Sequence, residues 1–257
     1  MSIFSKKSVG LVLGGGGARG FFHMGVIKAL QELNIEINQI SGTSIGAIVG
    51  AIYAADPKVD FEKMIKEIDY IKLTKIIITS GRDGFGSVVE NFLKDYIKVE
   101  NFSDLKIPLV FNAADINKKE EIVFNSGKIF PALIASISIP GVFPPTKIND
   151  SFLVDGGIVN NVPVSLLKAA SKIIVSDITG PITEINQKTT AIESLYSSFA
   201  FMQQNISLQK IRKLKTNKII YLNLKDNKTF ILDFRKKNYN QLIDLGYKSM
   251  MGKKELI

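Results

Sequence analysis

The sequence predicts an α/β fold with a mainly parallel sheet, because two strand–turn–helix units follow one another at the start of the chain. The apolar run from Val9 to Leu13 is typical of a buried strand, and apolar residues recur near helical spacing from Phe21 to Leu33. A second strand is predicted from Ile37 to Ser41, followed by a helix from Ala47 to Ala55 that ends before a proline. This alternation indicates parallel strands connected by helices.

The rest of the chain continues the mixture of strands and helices. Strands are predicted at five further places, namely Pro108 to Ala114, Ile122 to Asn125, Phe152 to Val154, Ile173 to Asp177 and Ile219 to Leu224. A long amphipathic helix is predicted from Ala191 to Lys215, and the glycines between Ser80 and Gly86 predict a mobile loop at the rim of a site. Because we find no repeat or low-complexity linker, we expect one domain over residues 1–257, with a core over about 9–180 and a basic C-terminal region over about 190–257.

Composition excludes several classes of protein. The chain of 257 residues has no cysteine, so disulfides, zinc–thiolate sites and cysteine nucleophiles are excluded. Its longest apolar stretch has 11 residues, from Ile45 to Ala55, whereas a helix needs about 20 to cross a bilayer. The lysines near the N-terminus are followed by glycines and an arginine, which do not form the core of a signal peptide. We therefore expect a cytoplasmic protein.

The net charge of +9 comes from the end of the chain. Residues 1–200 carry 20 basic and 20 acidic side chains, whereas residues 201–257 carry 13 basic and 4 acidic ones. Such an excess is either a solvated surface or a surface that attracts an anionic partner, such as a membrane or a nucleic acid. It overlaps the end of the long predicted helix, where the basic residues are Lys210, Arg212, Lys213, Lys215 and Lys218.

The first candidate site is the glycine-rich turn from Gly14 to Gly20, between the first strand and the first helix. Consecutive glycines allow several backbone N–H groups to point into one concavity, and the following helix N-terminus adds positive potential. Such a turn binds either a phosphate group or the oxyanion of an acyl-transfer reaction. Residues 15–20 also match G-x-G-x-x-G, and Glu36 lies 21 residues after Gly15, so a dinucleotide-binding domain is an alternative.

The second candidate is Ser44, at the centre of the segment Gly42-Thr43-Ser44-Ile45-Gly46. This G-x-S-x-G pattern lies where a strand is predicted to end and a helix to begin, which is the context of a nucleophile elbow. The two flanking glycines leave room for the strained turn that lifts the serine hydroxyl clear of the backbone. The pattern therefore predicts a serine nucleophile.

A nucleophilic serine needs a base, and the α/β-hydrolase arrangement is excluded because no histidine follows Ser44. The single histidine, His23, lies in an apolar helical segment, which favours a buried, hydrogen-bonded role over a catalytic one. The base is then a lysine or a carboxylate. Asp155 is a candidate, because it ends a short apolar strand and is followed by Gly156 and Gly157, which permit close approach of another backbone or a substrate.

Together these motifs resemble the patatin-like phospholipase family. The oxyanion signature of the family is matched by residues 15–20, its nucleophile elbow by residues 42–46 and its Asp-Gly-Gly motif by residues 155–157. The segment from Ala135 to Pro145 is similar to the proline-containing segment that precedes the aspartate in bacterial members. The likeness is strong from about Val9 to Gly157 and looser up to about Gly246.

The resemblance implies a three-layer α/β/α fold and a dyad of Ser44 and Asp155 that hydrolyses lipid acyl esters without a metal or organic cofactor. It also implies an oxyanion hole, formed by the N–H groups of Gly15, Gly16 and Gly17 with a field contribution from Arg19. For a lipid hydrolase, the basic C-terminal region favours peripheral association with an anionic membrane, and nucleic acid is no longer expected as a partner. A non-catalytic lipid-binding protein on the same scaffold is a further alternative, which the intact motifs disfavour.

Overall fold

The computed structural model describes residues 8–68, 79, 81–168, 170–180, 185–187, 189–213, 218–224, 233 and 235–257. The strands within these residues are β1 Val9–Leu13, β2 Gln39–Thr43, β3 Leu109–Asp115, β4 Glu120–Phe124, β5 Thr146–Ile148, β6 Ser151–Asp155, β7 Lys172–Asp177 and β8 Ile219–Asn223. The α-helices are α1 Phe21–Glu32, α2 Ile45–Ala55, α3 Phe61–Glu67, α4 Gly81–Lys94, α5 Ile129–Ser136, α6 Gly157–Asn160, α7 Ala191–Arg212 and α8 Lys236–Met251.

The strands form one mixed sheet in the order β5-β6-β3-β2-β1-β7-β8, with β4 on the free edge of β3. The strands from β3 through β2, β1 and β7 to β8 are parallel, whereas β4, β5 and β6 pair antiparallel to their neighbours. Every residue of β1 is buried, as expected for a central parallel strand that is covered on both faces. The parallel part of the sheet therefore has a common carboxyl edge, where ligands meet such sheets.

Helices cover both faces of the sheet, which makes the fold a three-layer α/β/α arrangement. Alternate residues of β1 belong to different cores, because side chains along a strand point to opposite faces. Leu11 and Leu13 pack in the large core with residues of α1, α2 and α8. Val12 packs on the other face with Val162 and Val175, next to the partly buried Ile211 of α7. Among the described residues, the core on this second face is the smaller one.

The predicted α/β organisation is confirmed, and each predicted strand is found to within two residues of its predicted ends. The first two predicted helices correspond to α1 and α2, and the long predicted helix corresponds to α7. The predicted end of that last helix, Lys215, lies outside the described residues. The sequence did not predict α5, α8 or the short strand β5 as separate elements.

The loop predicted between Ser80 and Gly86 is wrong, because α4 begins at Gly81 and continues to Lys94. Three apolar residues of this helix, at spacings of four, are buried in the core, namely Phe85, Val89 and Leu93. The ring of Phe85 also stacks on that of Phe143, with 4.6 Å between the ring centroids. Burial of this apolar face outweighs the low helix propensity of the glycines, which costs only about 1 kcal/mol for each glycine.

Candidate active site

The ends of β2 and β6 meet on one edge of β3. Thr43 of β2 pairs with Asn112, and Asp155 of β6 pairs with the next residue of β3, Ala113. β2 runs parallel to β3 and β6 runs antiparallel to it, while β4 occupies the opposite edge. The two strands therefore approach carboxyl end to carboxyl end. Ser44, which follows Thr43 directly, comes to lie beside Asp155.

Ser44 occupies a sharp turn between β2 and α2, with φ 56° and ψ −125°. Positive φ is uncommon for a residue with a Cβ, and this conformation is strained. Small neighbours make the turn possible. A Cβ on Gly42 would lie 2.7 Å from the carbonyl oxygen of Gly46, and a Cβ on Gly46 would overlap the carbonyl oxygen of Leu13. The Ser44 N–H donates to Ser136 Oγ at 3.1 Å, which fixes the turn against α5.

Asp155 is a buried carboxylate that accepts two hydrogen bonds. Ser44 Oγ donates to its Oδ2, and the N–H of Gly157 donates to its Oδ1 at 2.7 Å. Burial raises the pKa of Asp155 to about 6, and the two hydrogen bonds oppose this rise. The carboxylate is therefore ionised at neutral pH while its pKa stays close to that pH. Such a group can accept a proton from the serine hydroxyl that it already contacts.

Asn112 connects the two strands that carry this pair, and the sequence analysis did not identify it. Its Oδ1 lies 2.8 Å from Thr43 Oγ1, and its Nδ2 lies 3.3 Å from the carbonyl oxygen of Gly156. The Nδ2 also donates to Glu121 Oε1 at 2.9 Å, so the amide is held from the far side as well. Asn112 is fully buried. A polar residue inside an otherwise apolar strand was the signal available in the sequence.

The glycine turn lies against the same serine, since a Cβ on Gly15 would be 3.3 Å from Ser44 Cβ. The N–H of Gly15 donates to the carbonyl oxygen of Asn161 at 2.9 Å. This bond engages one of the predicted oxyanion donors within the fold, so Gly15 does not have a free N–H to offer. Across the described part of the chain, the N–H groups of Gly16 and Gly17 have no acceptor. They are the donors of this turn that can meet an anion.

Arg19 holds the glycine turn in place from behind. Its side chain is buried, and its Nε donates to the carbonyl oxygen of Gly16 at 3.2 Å. Its Nη1 donates to the carbonyl oxygen of Thr179, in the segment after β7. Burial lowers the pKa of Arg19 to about 10, against the charge of Asp177, so the guanidinium stays positive at neutral pH. The charge therefore lies directly behind the turn.

His23 is buried and hydrogen-bonded, as predicted. Its Nδ1 lies 2.7 Å from Ser176 Oγ and its Nε2 lies 2.8 Å from the carbonyl oxygen of Gly14. Burial lowers the pKa of His23 to about 4, so the ring is neutral at pH 7. Because a carbonyl oxygen only accepts, Nε2–H donates to Gly14 and Nδ1 accepts from the Ser176 hydroxyl. Both ring nitrogens are thus engaged, and neither is bonded to Ser44.

The dinucleotide alternative fails on the position of Glu36. A ribose-binding carboxylate has to lie at the same sheet edge as the glycine turn, which follows the carboxyl end of β1. Glu36 precedes β2, which begins at Gln39, and so lies at the amino end of the parallel strands.

Within the described ranges, no three His, Asp or Glu side chains are grouped as a metal ion would require. The same ranges hold no helix with the length and apolar character needed to cross a membrane.

Comparison with known proteins identifies the family of this chain. Residues 11–168 match the family model described as patatin-like phospholipase. The chain belongs to the patatin-like phospholipase family. Lysophospholipase NTE1 of Kluyveromyces lactis is 35% identical over 176 residues, which are 63% of this chain and 12% of the fungal protein. The NTE family protein Mb1092c of Mycobacterium bovis is 32% identical over 164 residues, which are 63% of this chain and 46% of that protein.

The fold of this patatin-like chain is similar to that of VipD from Legionella pneumophila, with a TM-score of 0.57. The two chains are 16% identical, and the superposition covers 97% of this chain and 67% of VipD. The match to the family model over residues 11–168 includes the glycine turn, Ser44 and Asp155. The structural similarity extends over nearly the whole chain, including the segments after residue 168.

Proposed function

We propose that this patatin-like protein is a serine esterase that hydrolyses acyl esters of phospholipids or lysophospholipids through an acyl-serine intermediate. The observation that carries the proposal is the hydrogen bond from Ser44 Oγ to the buried carboxylate of Asp155. The glycine turn beside Ser44, with two N–H groups that have no acceptor among the described residues, supports it. The lipid class is supported by the family and by the lysophospholipase that this chain is similar to.

In the first half of the proposed reaction, Asp155 Oδ2 accepts the proton of Ser44 Oγ as this oxygen bonds to the ester carbonyl carbon. The carbonyl oxygen becomes an oxyanion, which the N–H groups of Gly16 and Gly17 stabilise, with the positive charge of Arg19 behind them. When the intermediate collapses, the bond from the acyl carbon to the alcohol oxygen breaks. The proton on Asp155 passes to that leaving oxygen, and the acyl group stays on Ser44.

In the second half, a water molecule takes the place of the departed alcohol. Asp155 accepts a proton from this water, whose oxygen bonds to the acyl carbon and forms a second oxyanion in the same glycine turn. Collapse breaks the bond to Ser44 Oγ, which recovers the proton from Asp155, and the fatty acid is released. A pKa of about 6 suits the carboxylate to both directions of proton transfer near neutral pH.

The C-terminal part of the chain belongs to the same proposal. We treat residues 1–257 as one catalytic domain, with a core over about 9–180 and a basic region over about 190–257, which associates peripherally with anionic membranes. The exposed basic residues Arg212, Lys213 and Lys218 support this association, because anionic lipids attract such charges by about 1 kcal/mol each. Lys215 lies outside the described residues.

The test compares the wild-type protein with Ser44→Ala and with the matched control Ser198→Ala, whose hydroxyl is exposed on α7. Each is incubated with a fluorophosphonate probe and with a phospholipid and lysophospholipid mixture whose products are identified by mass spectrometry. We expect covalent labelling and fatty-acid release by the wild type and the control, and a loss of at least about 1,000-fold in Ser44→Ala. Lipid binding without labelling or release by the wild type would instead identify a non-catalytic lipid-binding protein.

The choice of base is tested with Asp155→Asn and His23→Gln. Asp155→Asn removes the proton acceptor that contacts Ser44 and is expected to lower turnover of a short-chain ester about as much as Ser44→Ala. His23→Gln is expected to retain the wild-type turnover per folded molecule, and the folded fraction is measured by circular dichroism. The opposite ranking of the two variants would contradict Asp155 as the base.

A further inference from the structure

Helix α7 exposes an apolar stripe that would ordinarily face a protein core. Its apolar residues recur at spacings of three and four, which predicts a buried face. In the structure, Leu195 is 66% and Met202 is 56% exposed, and the other two apolar residues at this spacing, Phe199 and Ile206, are only half-buried. Next to these four residues, which we call the α7 stripe, Phe201 is 55% exposed. A 22-residue helix therefore presents much of its apolar surface to solvent.

Among the described side chains of α7, those that face the protein are largely polar. Ser197 and Ser207 are buried there, and among the described residues Ser207 Oγ has no hydrogen-bond partner. Among the side chains of α7 that the structure describes, Ile211 is the one that packs with a hydrophobic core cluster. Burial of apolar area is the dominant force that attaches a helix to a domain, and here it contributes little. The orientation of α7 therefore requires another explanation.

Hydrogen bonds attach α7 to the loops of the candidate site. Gln203 Nε2 donates to the carbonyl oxygen of Gly157 at 3.0 Å, and the N–H of Gly157 in turn donates to Asp155. The neighbouring residue, Gln204, donates to the carbonyl oxygen of Gly180 at 3.2 Å. A Cβ on Gly180 would overlap the guanidinium of Arg19. The helix thus contacts two segments, the one that follows Asp155 and the one after β7 that lies against Arg19.

Beyond Glu193 in its first turn, the charged residues of α7 and of the chain up to the end of β8 are all basic. From residue 194 to residue 224 the sequence contains five basic residues and no acidic one. Arg212 and Lys213 are exposed at the C-terminal end of the helix, and neither forms an ion pair within the described residues. An apolar face with basic residues beside it is typical of helices that lie in the interface of an anionic bilayer. A second copy of this chain would carry the same positive charge and would be repelled.

We propose that α7 is a membrane-docking helix, which inserts the α7 stripe and Phe201 into the interface of an anionic phospholipid bilayer. Docking through α7 brings the bilayer close to the candidate site, because the opposite side of the helix is hydrogen-bonded to Gly157, which contacts Asp155, and to Gly180, which lies against Arg19. This inference rests on the proposed lipid-hydrolase function, but binding of the α7 stripe to a bilayer can be measured without any turnover.

Binding is measured with Ser44→Ala as the background, so that the lipid stays intact. The protein is sedimented with vesicles of phosphatidylcholine alone and with vesicles that also contain phosphatidylserine. We expect strong binding only to the second kind, and a decrease with added salt. Met202→Asp is expected to weaken it about tenfold, and Leu195→Asp with Met202→Asp more strongly. Leu256→Asp is the matched control, since Leu256 is 54% exposed at the far end of the chain, and it is expected to bind like the background protein.

Turnover separates a failure of this proposal from a failure of the proposed function. With Ser44 intact, Met202→Asp is expected to hydrolyse a water-soluble short-chain ester at the wild-type rate and vesicle lipid about tenfold more slowly. Absence of ester turnover in the wild type would contradict the proposed hydrolase function but not the docking helix. Equal vesicle binding by Met202→Asp and Leu256→Asp would overturn the docking helix. So would a wild-type dimer in sedimentation velocity that Met202→Asp converts to monomer without any effect on vesicle binding.

Discussion

Helices α7 and α8 both follow the part of the chain that carries Ser44 and Asp155, yet they attach to it in opposite ways. α8 packs on α1 backbone to backbone: a Cβ on Gly246 would overlap the carbonyl oxygen of Phe22, and a Cβ on Gly25 would overlap that of Ile243. Three of its residues, Tyr239, Leu242 and Met250, are buried in the large core. α7 turns its apolar stripe outward and is attached through glutamine side chains.

The difference shows that apolar periodicity alone does not say what a helix packs against. Both helices carry apolar residues on one side, but α8 has a glycine where it crosses α1, whereas α7 contains no glycine. That glycine allows the two helices to approach until their side chains interlock, and burial of apolar area then stabilises the fold. We infer that α8 serves stability and that α7 serves the site, and this contrast can be tested by variants of each.

The largest effect is expected for Gly246→Leu. A side chain at this position would collide with the backbone of α1, which cannot move without disrupting the core, so we expect a loss of at least about 3 kcal/mol in the free energy of unfolding. The measurement is urea denaturation followed by circular dichroism. The matched control introduces the same side chain on α7, as Ser198→Leu, where the position is exposed and the change is expected to stay within about 0.5 kcal/mol. Similar losses of unfolding free energy in both variants would contradict the inferred difference between α8 and α7.

A second prediction concerns pH. In the proposed reaction Asp155 has to be ionised to accept the proton of Ser44. Because its pKa is raised to about 6, kcat/KM for a water-soluble ester should fall about tenfold for each pH unit below that value. Phe201→Asp changes only the outer face of α7 and should leave this midpoint in place. A midpoint near 4 in the wild type would show that burial does not control the carboxylate.

A smaller effect is expected on the inner face of α7. Gln203→Leu removes the hydrogen bond to Gly157, whose N–H stabilises the ionised form of Asp155, so the pH midpoint should move upward. The rate at neutral pH should fall about fivefold, in proportion to one lost hydrogen bond of about 1 kcal/mol. Gln209→Leu, at an exposed position of the same helix, is the control and should change neither quantity. An unchanged midpoint in Gln203→Leu would mean that α7 does not act on the site.

The smallest predicted effect is a gain of stability at Ser44, the proposed nucleophile. Ser44 has φ 56° and ψ −125°, a conformation that glycine adopts without strain. The free energy of unfolding should therefore be about 1 kcal/mol larger for Ser44→Gly than for Ser44→Ala, although both variants are expected to be inactive. Equal stability of the two variants in urea denaturation would indicate that the turn is unstrained.

Local sequence determined much of this protein. The apolar run of β1, the turn at Ser44 and the buried role of His23 follow from short-range patterns, because steric limits on the backbone and the burial of apolar side chains act within a few residues. The candidate pair Ser44 and Asp155 was likewise predicted from two local motifs and a resemblance. What those motifs could not supply was the contact between them.

Tertiary structure decided the rest. Ser44 and Asp155 are 111 residues apart, and they meet because β2 and β6 share one edge of β3 from opposite directions. The same packing hydrogen-bonds the N–H of Gly15 within the fold and places Asn112 between the ends of β2 and β6. It also makes a helix of the glycine-containing segment after residue 80. It also turns the α7 stripe outward. These outcomes depend on which surfaces compete for burial once the whole chain is assembled, and a local pattern contains no information about its distant partners.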